Sequence, residues 1–126
     1  MTCESDHVKK QTLIIKQGDD YRQVFTLTNS KGDPVNTDNC KFIFGACYSS
    51  TDKTTAIAAE CEIMEKGKIK LLLKHDETAK LRATNPIIKF NLLYYDIQML
   101  KGDQAQTVLE GEVHVKPGNA FKKGSK

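Results

Sequence analysis

Cys40-Lys41-Phe42-Ile43-Phe44-Gly45-Ala46-Cys47-Tyr48 decides the fold class. Phe42, Phe44, Ala46 and Tyr48 recur every second residue and make one apolar face, while Lys41 and Ile43 take the reverse. Period two is the signature of a strand, and so much apolar surface on one side marks this strand as central. Cys40 and Cys47, seven residues apart, then fall on opposite faces and cannot bridge to each other. Both read as small buried apolar residues.

The same period extends in both directions along the chain. Upstream, Tyr21, Gln23, Phe25 and Leu27 alternate with Arg22, Val24, Thr26 and Thr28, ahead of a turn over Asn29-Ser30-Lys31-Gly32-Asp33-Pro34. Glycine supplies positive φ there and proline blocks further pairing. Before that, Leu13-Ile14-Ile15 is a short β-branched run stopped by Gln17-Gly18-Asp19-Asp20. Downstream, Ser49 to Lys53 reads as a loop and residues 55–63 as a strand, despite the helix-favouring Ala56, Ala58 and Ala59. Lys66-Gly67 is a tight connection into Lys68 to Lys74, where Ile69, Leu71 and Leu73 alternate with Lys68, Lys70, Leu72 and Lys74.

Asp76 to Leu81 starts with an acidic residue able to cap, and one or two helical turns are expected before Asn85-Pro86. Ile87 to Leu100 is apolar on both faces and reads as a second central strand. Lys101-Gly102-Asp103 turns the chain into Thr107 to Val115, where Val108, Glu110, Glu112 and His114 alternate with Leu109, Gly111, Val113 and Val115. The expected fold is all-β, an immunoglobulin-like antiparallel β-sandwich with one short helix near residues 76–82. Residues 1–11 form an N-terminal arm, 12–117 the sandwich, and 118–126 a flexible basic tail.

The chain has 126 residues and a formal charge of +3, from 19 Lys and Arg against 16 Asp and Glu. Lys116, Lys122, Lys123 and Lys126 fall in the last eleven residues, which hold no acid, so the body is close to neutral. One domain of this length buries roughly two thirds of its unfolded surface. No apolar stretch approaches the roughly 20 residues that span a bilayer, so no membrane partner is expected. The polar Met-Thr-Cys-Glu-Ser-Asp-His start lacks the features of a secretory signal, so synthesis and folding in a cytoplasm are expected. Free thiols are then expected at Cys3, Cys40, Cys47 and Cys61.

Candidate chemistry is sparse. No Gly-x-Ser-x-Gly, phosphate-binding loop, dinucleotide glycine pattern or His-Glu-x-x-His occurs, so no catalytic, cofactor or metal residue is assigned. His7, His75 and His114 lie too far apart in sequence to suggest a zinc site. Local capping explains the acidic pairs Asp19-Asp20 and Asp76-Glu77. His114 and Glu112 read as a solvated same-face pair. Four tail lysines with one aromatic fall short of the interleaved pattern of single-strand binders, so a nucleic-acid partner is not expected. Phe121, Lys122 and Lys123 are instead the candidate contact with a partner protein, anchoring the tail on a neighbouring subunit.

Two segments carry a resemblance. Ile15-Lys16-Gln17-Gly18-Asp19-Asp20-Tyr21, followed by Phe25-Thr26-Leu27-Thr28-Asn29-Ser30-Lys31-Gly32-Asp33-Pro34-Val35, resembles the opening of the N-terminal domain of baseplate upper proteins of tailed bacteriophages. Lys66-Gly67, Asp76 to Leu81, Tyr94-Tyr95-Asp96-Ile97 and Glu110-Gly111-Glu112-Val113-His114-Val115-Lys116-Pro117 continue it in the same order, over residues 13–117.

The resemblance implies an immunoglobulin-like sandwich acting as a non-enzymatic virion adaptor in the tail, baseplate or fibre-attachment apparatus. Its partners would be other virion proteins in a multi-copy assembly. The family's following helical or fibre region has no counterpart after Pro117, so a small attachment or decoration subunit is expected rather than a fibre stem. Two alternatives stand beside it: a head decoration or head-fibre protein, and a small cytoplasmic ligand-binding or enzymatic β-sandwich.

Overall fold

A computed structural model describes residues 9–49, 54–82 and 91–118. The alternating stretches form β1 (Lys9–Lys10), β2 (Leu13–Lys16), β3 (Tyr21–Thr26), β4 (Cys40–Cys47), β5 (Ile57–Glu65), β6 (Lys68–Leu73), β7 (Asn91–Lys101) and β8 (Gln104–Lys116), with one helix, α1 (His75–Thr78). The chain is therefore all-β with one short helix, the class expected from its periodicity.

Hydrogen bonding runs in the order β1-β8-β7-β4-β5-β6-β3, with β2 also paired to β8. β5 makes this path bend. Its first half pairs with β4, from Ala46↔Ile57 to Phe42↔Cys61, and its second half pairs with β6, from Glu62↔Lys70 to Glu65↔Lys68. One sheet thus folds into two layers, with Phe42, Phe44, Leu93, Ile97, Leu109 and Val113 facing Phe25, Ile69, Leu71 and Leu73, all buried. Full burial of each such side chain contributes about 1.5–3 kcal/mol.

Two features depart from a wholly antiparallel sandwich. β1 and β2 pair with β8 in parallel, Lys9↔Leu109 and Leu13↔Val113. The turn at Gln17–Asp20 carries the chain from one layer to the other instead of closing a hairpin, which leaves β2 free to take the outer edge of β8. Because β2 and β3 lie at opposite ends of the path but are joined by four residues, the sheet nearly closes into a barrel.

The second departure is in β8. The pairing shifts between Ile97 and Gln98, so that Ile97 faces Leu109 while Gln98 faces Thr107. Val108 is the extra residue, and it packs against the core rather than sharing the outer face with Glu110 and Glu112.

The turns follow their residues. Asn29 Oδ1 accepts the amides of Lys31 and Asp33, and Thr28 bridges to Pro34. Gly67, at φ 76°, turns β5 into β6, and its carbonyl accepts the Leu27 amide at 2.6 Å.

The helix is shorter than expected and is capped differently. Lys74 is the N-cap residue and makes no side-chain capping bond; Asp76 lies in the first turn. The His75 amide donates instead to the Asp20 carboxylate, 2.7 Å away and 55 residues earlier. Capping is tertiary here, which corrects the local reading of both acidic pairs.

Candidate functional site

Inner-facing residues of β4, β7 and β8 fill the core, so the intervening residues make an outer face. On β4 these are Ile43, Gly45 and Cys47; on β7, Tyr94, Asp96 and Gln98; on β8, Glu110, Glu112 and His114. The register sets Gly45 beside Asp96, Asp96 opposite Glu110, and Tyr94 opposite Glu112. Gly45 carries no side chain, and the Thr55 methyl closes over it, 3.2 Å from where a Cβ would lie. Beside them is a depression of about 730 Å³, lined by Thr55, Cys47 and Tyr94 and by Lys10, Gln11 and Thr12.

The electrostatics of this depression are unbalanced. Asp96, Glu110 and Glu112 line it against a single cation, Lys10. Glu112 is paired with His114, Oε1 to Nε2 at 3.1 Å. Asp96 and Glu110 have no hydrogen-bond or ion-pair partner for their carboxylates among the described residues. Like charges directly opposite on neighbouring strands repel. Partial burial, then the Glu110 charge, push the Asp96 carboxyl above its ordinary range.

Gly111 shapes the rim. A Cβ there would overlap the Gln11 carbonyl oxygen, so β8 and the segment joining β1 to β2 approach closely only because this position is glycine. Tyr95, registered opposite Gly111, donates its hydroxyl to that same carbonyl at 2.7 Å. Its ring packs on Phe44 with centroids 5.5 Å apart. Burial raises the Tyr95 hydroxyl pKa, which keeps it a neutral donor.

A second cluster lies where the β2–β3 turn meets α1. Thr78, fully buried, donates to the Asp19 carbonyl at 2.8 Å and accepts the Gly18 amide at 3.1 Å. Gln17 Nε2 donates to the Leu81 carbonyl at 2.8 Å. The His75 ring lies 3.0 Å from Asp20, and the hydrogen bonds from His75 hold the Asp20 carboxyl below its usual range. The hydroxyl and the carboxylate are both committed to backbone contacts, which suits a clasp.

The residues singled out from sequence are placed as follows. His114 and Glu112 do pair on one face. Cys40 and Cys61 are buried free thiols, and burial pushes the Cys61 thiol up to about 12. Cys47 is a free thiol only half-buried on the depression wall, which corrects its reading as a buried residue. Phe121, Lys122, Lys123 and Cys3 lie outside the described residues, as do Ile87, Ile88 and Phe90 of the expected strand.

Asp96, Glu110 and Gly45 carried no functional reading from sequence. The available signal was Gly45, an isolated glycine inside an apolar strand, which marks a hollow or a close approach. Among the described residues no group of three or more His, Cys, Asp or Glu side chains is arranged to hold a metal ion, and no helix is long and apolar enough to cross a membrane.

No protein-family model and no curated protein matches the chain. Among solved structures it is similar to an uncharacterized protein from Bacillus anthracis str. Ames, at 10% identity over 88% of this chain and 87% of that one, with a TM-score of 0.36. At that level the likeness bears on neither lineage nor activity.

Proposed function

We propose that this chain is a non-enzymatic structural adaptor of a tailed-phage particle, in the tail, baseplate or fibre-attachment apparatus, working through protein–protein contacts. The ordered motifs from Ile15 to Pro117 support the phage assignment. The observation that favours contact over chemistry is the set of apolar side chains left outside the core: Ile14 is 56% exposed on β2, Val24 45% on β3, Met64 49% on β5 and Tyr94 47% on β7. β2, paired to β8 alone, and β3, at the far end of the hydrogen-bonded path, each have one paired side among the described residues, so their outer edges offer backbone donors and acceptors to a partner.

Mass spectrometry of purified particles tests the reading. The chain is expected among the virion proteins, in the tail fraction once heads and tails are separated. Recovery with heads would replace the tail role with a decoration role. Recovery only from infected-cell extract would overturn the proposal.

A further inference from the structure

We infer that the depression beside Gly45 on the outer face of β4, β7 and β8 is the docking site for the Phe121–Lys123 segment of a second copy of this chain. The inference rests on the adaptor reading and names one of its contacts.

Charge complementarity selects the occupant. The depression sets three carboxylates against Lys10, and two of them, Asp96 and Glu110, oppose each other with no ion pair formed to either among the described residues, although Lys10 is in register with Glu110 on its other side. The segment from Lys116 onward carries four lysines and no acid. A lysine between Asp96 and Glu110 would relieve their repulsion and replace it with two attractions. Partial burial, and after it this same repulsion, raises the Asp96 pKa.

Spacing selects the register. Docked in extended form, Phe121 and Lys123 project to the same side about 7 Å apart, and Lys122 to the other. Tyr94 and Asp96 on β7, and Glu112 and Glu110 on β8, present the same two-residue spacing. Phe121 therefore meets the exposed Tyr94 ring as Lys123 reaches the Asp96–Glu110 pair. An aromatic pair of this kind contributes about 0.5–1.5 kcal/mol beyond its buried area.

Chain direction favours another copy's segment over the molecule's own. β8 runs away from the depression, and its last residue, Lys116, lies roughly 13 Å beyond Glu112. Gly118 is buried, and the three residues from there to Phe121 span about 10 Å at most. A contact from the tail of one copy to the face of the next is heterologous, so it propagates into a ring or a filament. That geometry suits a multi-copy particle component.

Sedimentation velocity on the full chain over a concentration series, at low and high salt, tests this. The mean mass is expected to climb with concentration and to fall back as salt screens the lysine–carboxylate contacts. Lys123→Glu should weaken association about tenfold and Lys122→Glu by less than about twofold. Asp96→Lys combined with Lys123→Glu should restore association. Because residue 123 lies beyond the last strand, Lys123→Glu stands as a test even if Asp96→Lys fails to fold.

A single-copy mass at all concentrations overturns the inference, as does association indifferent to Lys123→Glu. A constant single-copy mass with Tyr94 ring resonances that respond to Lys123→Glu assigns the site to the molecule's own tail and also overturns it. Absence from purified particles defeats the adaptor reading instead, so the two failures are distinguishable.

Discussion

Among the described glycines, Gly111 is the one that leaves least room for a side chain. The chain between β1 and β2 presses against it, and the Gln11 carbonyl is held by the Tyr95 hydroxyl from the neighbouring strand. A methyl group there must push that segment off β8 or displace Tyr95 from Phe44. Gly111→Ala is therefore expected to destabilise the protein by about 1–3 kcal/mol, the range for overpacking. The urea midpoint should fall accordingly, and a midpoint equal to that of the unchanged chain would refute the close approach. At this scale the sequence was partly readable. Phe42, Phe44, Leu93 and Ile97 are inward because period two requires it, but the reason for Gly111 lies in a segment a hundred residues away in sequence.

Among the elements, α1 and the β2–β3 turn form one unit. Four turn residues, Gln17 to Asp20, contact residues 75–81 through Thr78, His75 and Leu81. Asp20 is the titrating member. Its carboxyl pKa is depressed in the folded state, so its stabilisation is present above the ordinary carboxylate pKa and is lost as pH falls through the lower, folded value. Asp20→Ala should thus lower stability more at pH 7 than at an acid pH below the folded value of the carboxyl. Denaturant titrations at both pH values check this, and an equal loss at both would assign Asp20 no electrostatic role.

The limits of reading elements from sequence are also visible here. Alternation tells which face a residue takes but not which strand lies beside it, so the parallel pairing of β2 with β8 had no local signal. The bulge at Val108 was equally hidden, and the acidic site depends on it. Counting back from the turn pair Lys101↔Gln104 without the extra residue would set Asp96 against inward-facing Leu109. With the bulge in place, Asp96 meets Glu110.

Across the whole molecule, the protection of backbone amides should follow position along the hydrogen-bonded path. β7 is paired with β8 along its length and with β4 from Tyr94 to Lys101, while β3 has a partner on one side alone among the described residues. Native-state hydrogen exchange is expected to be slowest at the inward residues of β7 flanked by both strands, such as Tyr95 and Ile97, and faster by orders of magnitude in β3. Equal protection in the two would mean that β3 is covered in solution by a partner strand.

The parallel edge has a mechanical consequence. β2 and β8 run in the same direction, and the chain enters β2 at the end opposite to the one where it leaves β8. Tension applied through the segments that precede β1 and follow β8 therefore pulls the two strands past each other lengthwise. The contacts between Leu13–Lys16 and Val113–Lys116 would all resist at once, in shear, where a hairpin would unzip one bond at a time. A subunit tethered by its two ends would carry load through its most cooperative set of hydrogen bonds.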